Sequence, residues 1–157
     1  MSVTTRGIQR GDVSDIARLH AVCFPDEPWE PSALATVLAM PGASGHVAST
    51  EGGDLAGFLI EQCLSEVAEI LTLGVAPAMR RQGVAGALLR AATARFVAIG
   101  AERIVLEVAA DNQAGIALYQ SLGFARQGTR PGYYHRAQGP RIDAWRLSVD
   151  IRALSRP

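Results

Sequence analysis

Apolar positions along this 157-residue chain change period several times, and each change marks a boundary between elements. Ile8 stands among polar residues and marks a short first strand. Asp12 reads as the N-cap of a helix, with Asp15 in its first turn. Ile16, Leu19, His20 and Cys23 then recur at helical spacing on one face. Phe24-Pro25-Asp26-Glu27-Pro28-Trp29 breaks that helix. Pro31 suits the first turn of a second one, Ser32 to Met40, which Pro41-Gly42 ends. Three strand-like runs follow, His46 to Ser49, Leu55 to Cys63 and Ala68 to Val75. Short turns between them predict an antiparallel meander. Gly74 lies inside the third run. A glycine there marks a bulge or a close backbone approach, or is simply tolerated near a strand end. Val84, Leu88, Ala92 and Phe96 form one face of a helix running to Ile99, and Gly100 stops it. Ile104 to Val108 reads as a buried strand. Asp111-Asn112 caps a helix from Gln113 to Leu122, closed by Gly123. Phe124 to Gln127 and Ala144 to Val149 read as a last pair of strands, with a loop over Arg130 to Asp143.

The predicted order is strand, two helices, three strands, helix, strand, helix, two strands. A helix between two strands implies a parallel crossover, and short turns imply antiparallel neighbours. The expected fold class is therefore α/β (α+β), a mixed sheet of about seven strands with helices on both faces. The length suits one domain over residues 1–157.

Composition narrows the function classes. Hydrophobic residues make up 48% and charged residues 19%, which suits a packed core. Formal net charge is zero, so no broad attraction to nucleic acid or membranes is expected. The polar start lacks a signal-peptide core, and no apolar run approaches the ~18 residues of a membrane span. Cys23 and Cys63 are isolated and read as buried small hydrophobes in a reducing compartment. His20, His46 and His135 are too scattered for a metal site. The expectation is a cytoplasmic monomer or weak dimer without a metal.

The chemistry begins at Arg80-Arg81-Gln82-Gly83-Val84-Ala85-Gly86, between an apolar strand and a helix. Free amides at a helix start favour an anion, and Gly83 and Gly86 permit close approach. Arg80 and Arg81 can add charge-assisted hydrogen bonds. There is no Gly-Lys-Ser/Thr, and no Gly-x-Gly-x-x-Gly, so neither a Walker-type loop nor a dinucleotide loop is indicated. A basic turn capping an ordinary helix is the plainer alternative.

The Arg-x-x-Gly-x-Ala turn resembles the acyl-coenzyme A pyrophosphate loop of the GNAT superfamily of N-acetyltransferases. A second block agrees: Leu106-Glu107-Val108, Asn112, then Ile116-Ala117-Leu118-Tyr119-x-x-Leu122-Gly123-Phe124. Phe24-Pro25, Trp29, Tyr133-Tyr134 and Asp143-Ala144 extend the likeness to the RimI-type ribosomal-protein alanine N-acetyltransferases. The chain departs from that pattern at residues 25–29, which are expanded, and at Ala85, where many members carry glycine.

The resemblance implies a site. Acetyl-CoA, as acetyl donor, would be held at Arg80 to Gly86, with Leu73, Gly74 and Val75 along its pantetheine arm and Asn112 as a further contact. Asn112 is equally a plain helix cap. Glu107 is the one charge in an apolar run, which would raise its pKa toward that of a useful base. In the resembled proteins the matching glutamate accepts the proton; a strand-end glutamate paired to an arginine is the alternative, and Glu69 on the neighbouring strand is a rival base. Tyr119 matches the general acid, and is equally placed to be a core aromatic. Phe24, Trp29, Glu69, Tyr133 and Tyr134 are candidate walls of an acceptor groove or loop packing. Asp26, Glu27 and Glu30 could draw in a basic peptide, or form only a solvated face. The acceptor implied is the N-terminus of a protein, possibly ribosomal. A small-molecule amine and a non-catalytic acyl-CoA-binding domain are the alternatives.

Overall fold

The computed structural model describes residues 2–154. Seven strands form one sheet: β1 (Val3–Gly7), β2 (Ala43–Thr50), β3 (Leu55–Cys63), β4 (Val67–Val75), β5 (Arg103–Ala109), β6 (Ala125–Tyr134) and β7 (Ile142–Asp150). Their order is β1-β2-β3-β4-β5-β7-β6, with β4 and β5 parallel and every other pair antiparallel. The helices are α1 (Val13–Cys23), α2 (Pro31–Leu38), α3 (Val84–Ala98), α4 (Gln113–Ser121) and α5 (Ile151–Leu154). The expected mixed sheet with helices on both faces is what forms.

Alternation splits the core into two layers. Leu59, Ile70, Leu106 and Leu147 pack beneath α3 with Leu88, Ala92 and Phe96, and Ile116 and Tyr119 of α4 join them. Phe58, Ile60 and Val47 point to the other face and meet Ile16 and Leu34 of α1 and α2. His20 completes that second layer. Its Nδ1 accepts from the Trp29 amide at 3.0 Å, so its Nε2 carries the proton and lies 3.3 Å from Thr72 Oγ1. Burial pushes its pKa down to about 4, and it stays neutral.

The structure corrects several boundaries. The first strand ends at Gly7, before Ile8, and β2 begins earlier than expected. Asp12 makes no side-chain cap to α1; its carboxylate is taken by the Gln9 amide at 2.7 Å and by Arg6 at 2.8 Å. Cys63 is buried, but Cys23 only half so. The largest difference is β6, which runs through Arg130 and Pro131 to Tyr134 where a loop was expected. Proline breaks a strand only where its missing N–H is needed. Here β6 is the sheet edge, and a register shift falls between Arg130 and Tyr134.

One buried charge escapes the hydrophobic pattern. Glu61 is fully buried on β3, with Arg95 of α3 at 3.0 Å and His46 Nε2 at 4.0 Å. Burial outweighs the Arg95 attraction and pushes its pKa up to about 7. A carboxyl with a raised folded pKa stabilises the fold most below its unfolded pKa, and that contribution is lost as pH rises to about 7. Glu61→Gln therefore gains stability relative to the parent between pH 5 and pH 8. Melting curves at the two pH values check this, and an equal difference at both would contradict it.

Candidate active site

The paired part of β4 and β5 is short. Val67, Ala68, Glu69 and Ile70 pair with Arg103, Ile104, Val105 and Leu106, and beyond Ile70 and Leu106 the strands part. The cause lies in β4. Ile60 pairs with Thr72 but Glu61 with Ile70, so Leu71 is an extra residue in the strand. Such a bulge bends its strand and switches the side-chain alternation. It places Leu73 and Val75 toward the α3 layer, and Thr72 and Gly74 toward α1. The bulge is at Leu71, then, and Gly74 pairs in register with Phe58. Gly74 answers to close approach instead: a Cβ there would sit 2.7 Å from the Phe58 ring and 3.0 Å from Cys23 Sγ.

The parted strands leave backbone groups of Leu73, Gly74 and Val75 on one side of a cleft and Glu107 on the other. The turn Arg80 to Gly86 follows β4 at the same end. Arg81 and Gly83 both take left-handed φ, 62° and 82°. The helix's first bond runs from the Ala87 amide to the Gly83 carbonyl at 3.0 Å, so the amides of residues 83–86 have no acceptor within the helix. Free amides at a helix start are the kind of donor that suits an anion. Side chains do less than expected here. Arg80 turns back, donating Nε to the Val75 carbonyl at 3.2 Å with a second nitrogen 4.0 Å from Cys23 Sγ. Gln82 donates to the Ala78 carbonyl at 3.1 Å, and Val84 is buried in the core. These three hold the turn's shape. Arg81 is exposed.

Glu107 faces away from Leu106 and Val108, as alternation requires, but its surroundings are not apolar. Arg130 Nε lies 2.7 Å from Glu107 Oε1, and Arg146 Nη1 lies 3.5 Å from the same oxygen. The arginine-paired reading of this glutamate is therefore correct as geometry, which leaves its role in chemistry open. Arg146 was legible only through register, because it stands directly opposite Glu107 across β5 and β7. Glu69 pairs with Val105, on the same face but inside the joined part of the strands. Glu107 is the first β5 residue past the fork.

Asn112 caps α4, its Oδ1 accepting from the Gly115 amide at 2.9 Å. Tyr119 is buried against Phe124, ring centroids 5.6 Å apart. Burial and neighbouring Tyr134 push its pKa up to about 12, above the ~10 of a free phenol. Tyr134 is pushed up to about 12 as well, by burial and by the charge of Glu107. Tyr133 packs edge-on against Tyr134 at 5.0 Å and is itself exposed.

The 24–30 segment and the β6–β7 hairpin are joined to each other. Asp26 Oδ1 accepts from the Ala137 amide at 2.9 Å and Glu27 Oε1 from the His135 amide at 3.1 Å. Arg136 adds an ion pair to Asp111 at 2.8 Å. Two of the acids expected to attract a basic peptide, Asp26 and Glu27, are instead occupied in closing this wall, while Glu30 is exposed. Phe24 and Trp29 pack on His20 at 4.7 and 5.0 Å and act first as core. Among the described residues no cluster of three or more metal-liganding side chains occurs, and no helix is long and apolar enough to cross a membrane.

Known proteins match this arrangement. The acetyltransferase (GNAT) family model matches residues 13–124. N-alpha-acetyltransferase RimI of Mycobacterium tuberculosis (strain ATCC 25618 / H37Rv) is 37% identical over 153 residues, covering 94% of this chain and 92% of that protein. The ribosomal protein bS18-alanine N-acetyltransferase of Escherichia coli (strain K12) is 37% identical over 102 residues, 65% of this chain and 68% of that one. The crystal structure of the ribosomal-protein-S18-alanine N-acetyltransferase from Escherichia coli superposes with a TM-score of 0.86 at 27% identity, covering 96% of this chain and 94% of the other. Arabidopsis thaliana NAA60 in complex with acetyl-CoA shares the fold, with a TM-score of 0.82 at 21% identity, covering 96% of this chain and 99% of that one. The chain belongs to the GNAT family and is an acetyl-CoA-dependent N-acetyltransferase.

Proposed function

We propose that this enzyme acetylates the α-amine at the N-terminus of a protein, specifically an N-terminal alanine of a ribosomal protein. The observation that carries the reading is the fork between β4 and β5, with Glu107 as the first residue beyond it. The acceptor class is supported by the relatives of that printed activity.

The donor supplies an acyl thioester, whose C–S bond breaks as the amine forms its bond to the acetyl carbon. The residues 83–86 amides and the Arg81 guanidinium grip its diphosphate, and the backbone of Leu73 to Val75 lines the arm leading to the fork. Glu107 Oε2 takes a proton from the acceptor ammonium. An α-amine, with a reference pKa of ~7.7–8.0, needs less help than a lysine at ~10.4. Tyr119 gives its proton to the departing sulfur. Tyr133 and Tyr134 flank the entry as a groove for the acceptor's first residues.

The test is acetyl transfer to three kinds of acceptor. An alanine-starting ribosomal-type peptide is expected to react, the same peptide with a blocked N-terminus to be inert, and a panel of small amines to react at least ~10-fold more slowly in kcat/KM. Transfer confined to small amines would replace this acceptor with a small molecule, and acetyl-CoA binding without transfer to any amine would make the chain a binding domain.

A further inference from the structure

Two arginines converge on Glu107 and have no part in the chemistry assigned so far. Arg146 reaches it by register, standing directly opposite on β7. Arg130 pairs with Ala144 of β7, after the register shift between Arg126 and Gly128 and just before the irregular end of β6. The register shift between Arg130 and Tyr134 is built locally, with Gly132 at a φ of 59°, its amide donating to Asp143 Oδ1 at 2.8 Å and its carbonyl accepting from Arg141 at 3.2 Å. Bulges commonly re-aim side chains beside active sites. Both guanidiniums meet the same oxygen, Oε1. Oε2 has no protein donor among the described residues and is not a buried orphan. One arginine would satisfy a structural ion pair. Two cations crowding one oxygen repel each other, and half-exposed pairs contribute little to stability.

We propose that Arg130 and Arg146 are positioning residues that pin the Glu107 carboxylate by Oε1 and so present Oε2 to the acceptor amine. The proposal rests on Glu107 being the general base. Other charged or titratable groups around it are Tyr134 on β6, Glu69 on the same face of the sheet from β4, and, around Tyr134, Tyr133, Arg136, Tyr119 on α4 and Glu27 from the segment before α2. Arg130 and Arg146 are the cations of this set that touch the carboxylate. Arg130 is also stacked over Tyr133, its guanidinium carbon 5.4 Å from the ring centre, which ties the position of the base to the wall of the groove.

The experiment compares the parent enzyme with Arg130→Gln, Arg130→Lys and Glu107→Gln. Arg130 is largely exposed, so these variants are expected to fold. Two quantities are read with the intact enzyme: kcat with saturating acceptor peptide, and the KM values for the peptide and for acetyl-CoA. In Arg130→Gln kcat falls ~10-fold with both KM values within ~2-fold of the parent. Arg130→Lys, which keeps a cation beside Oε1, restores most of that kcat. An unchanged kcat in Arg130→Gln overturns the proposal and leaves Glu107 as base if Glu107→Gln is slow. A loss carried by a raised acceptor KM makes Arg130 a substrate contact and also overturns it. Full activity in Glu107→Gln removes the base itself, and the positioning role falls with it.

Discussion

Glu107→Gln lowers kcat for acetyl transfer by ~10²–10⁴-fold while the acetyl-CoA affinity stays within ~2-fold. Glutamine keeps the shape and cannot accept the proton. The acceptor must then lose its proton to water or arrive neutral. The deficit is therefore expected to shrink as pH rises past the α-amine pKa of ~7.7–8.0. Binding of the donor is expected to be spared because the turn proposed to hold its diphosphate follows β4, on the other strand of the fork. The Glu107 side chain is only 12% exposed, so the variant leaves two guanidiniums facing a neutral amide. A melting curve separates that cost from the loss of chemistry. Rapid-quench single-turnover measurement at pH 7 reads the step itself, and an unchanged rate would shift the role to Glu69.

A second large effect is expected at Gly86. Gly86→Glu weakens acetyl-CoA binding by ~10²-fold or more without destabilising the fold. Its φ is not positive, and a Cβ there would meet only the far end of Arg90, at 3.4 Å. Nothing inside the protein asks for glycine at this place in a helix, where it costs about 1 kcal/mol relative to alanine. A glutamate three residues past the Gly83 cap is favourable for the helix itself. Its carboxylate would, however, occupy the ground where the residue 83–86 amides meet the diphosphate, and would repel that anion. Calorimetric titration with acetyl-CoA reads the binding, and thermal melting reads the fold. Weaker binding with an equal or higher melting temperature is the expected pair of results. Unaltered binding would place the diphosphate elsewhere.

Local signals in the sequence were good guides where the cause is local. The α3 start, the Asn112 cap and the alternation that turns Glu107 away from the core are each set within a few residues. What the pattern hid depends on partners far along the chain. The extra residue at Leu71 leaves no mark in composition, yet it opens the fork that makes a site of β4 and β5. Arg130 and Arg146 reach Glu107 only through the β5–β7–β6 register and a bulge, so an apolar run was mistaken for an apolar environment. Pro131 and Gly132 read as loop residues because an edge strand tolerates what a central one does not. Asp26 and Glu27 read as bait for a basic peptide because their amide partners, Ala137 and His135, lie over a hundred residues away. Glu61 sat in an apolar strand, and only the α3 packing reveals its arginine.

The central claim is that the fork delivers an acetyl group to the α-amine of a protein chain. The direct measurement is tandem mass spectrometry of an alanine-starting ribosomal-type peptide that also carries a lysine, after incubation with the enzyme and acetyl-CoA. The account predicts one acetyl group, on the N-terminal nitrogen, and a matching loss of product with Glu107→Gln. Acetylation of the lysine side chain, or no acetylation of the peptide while a small amine is modified, would contradict it.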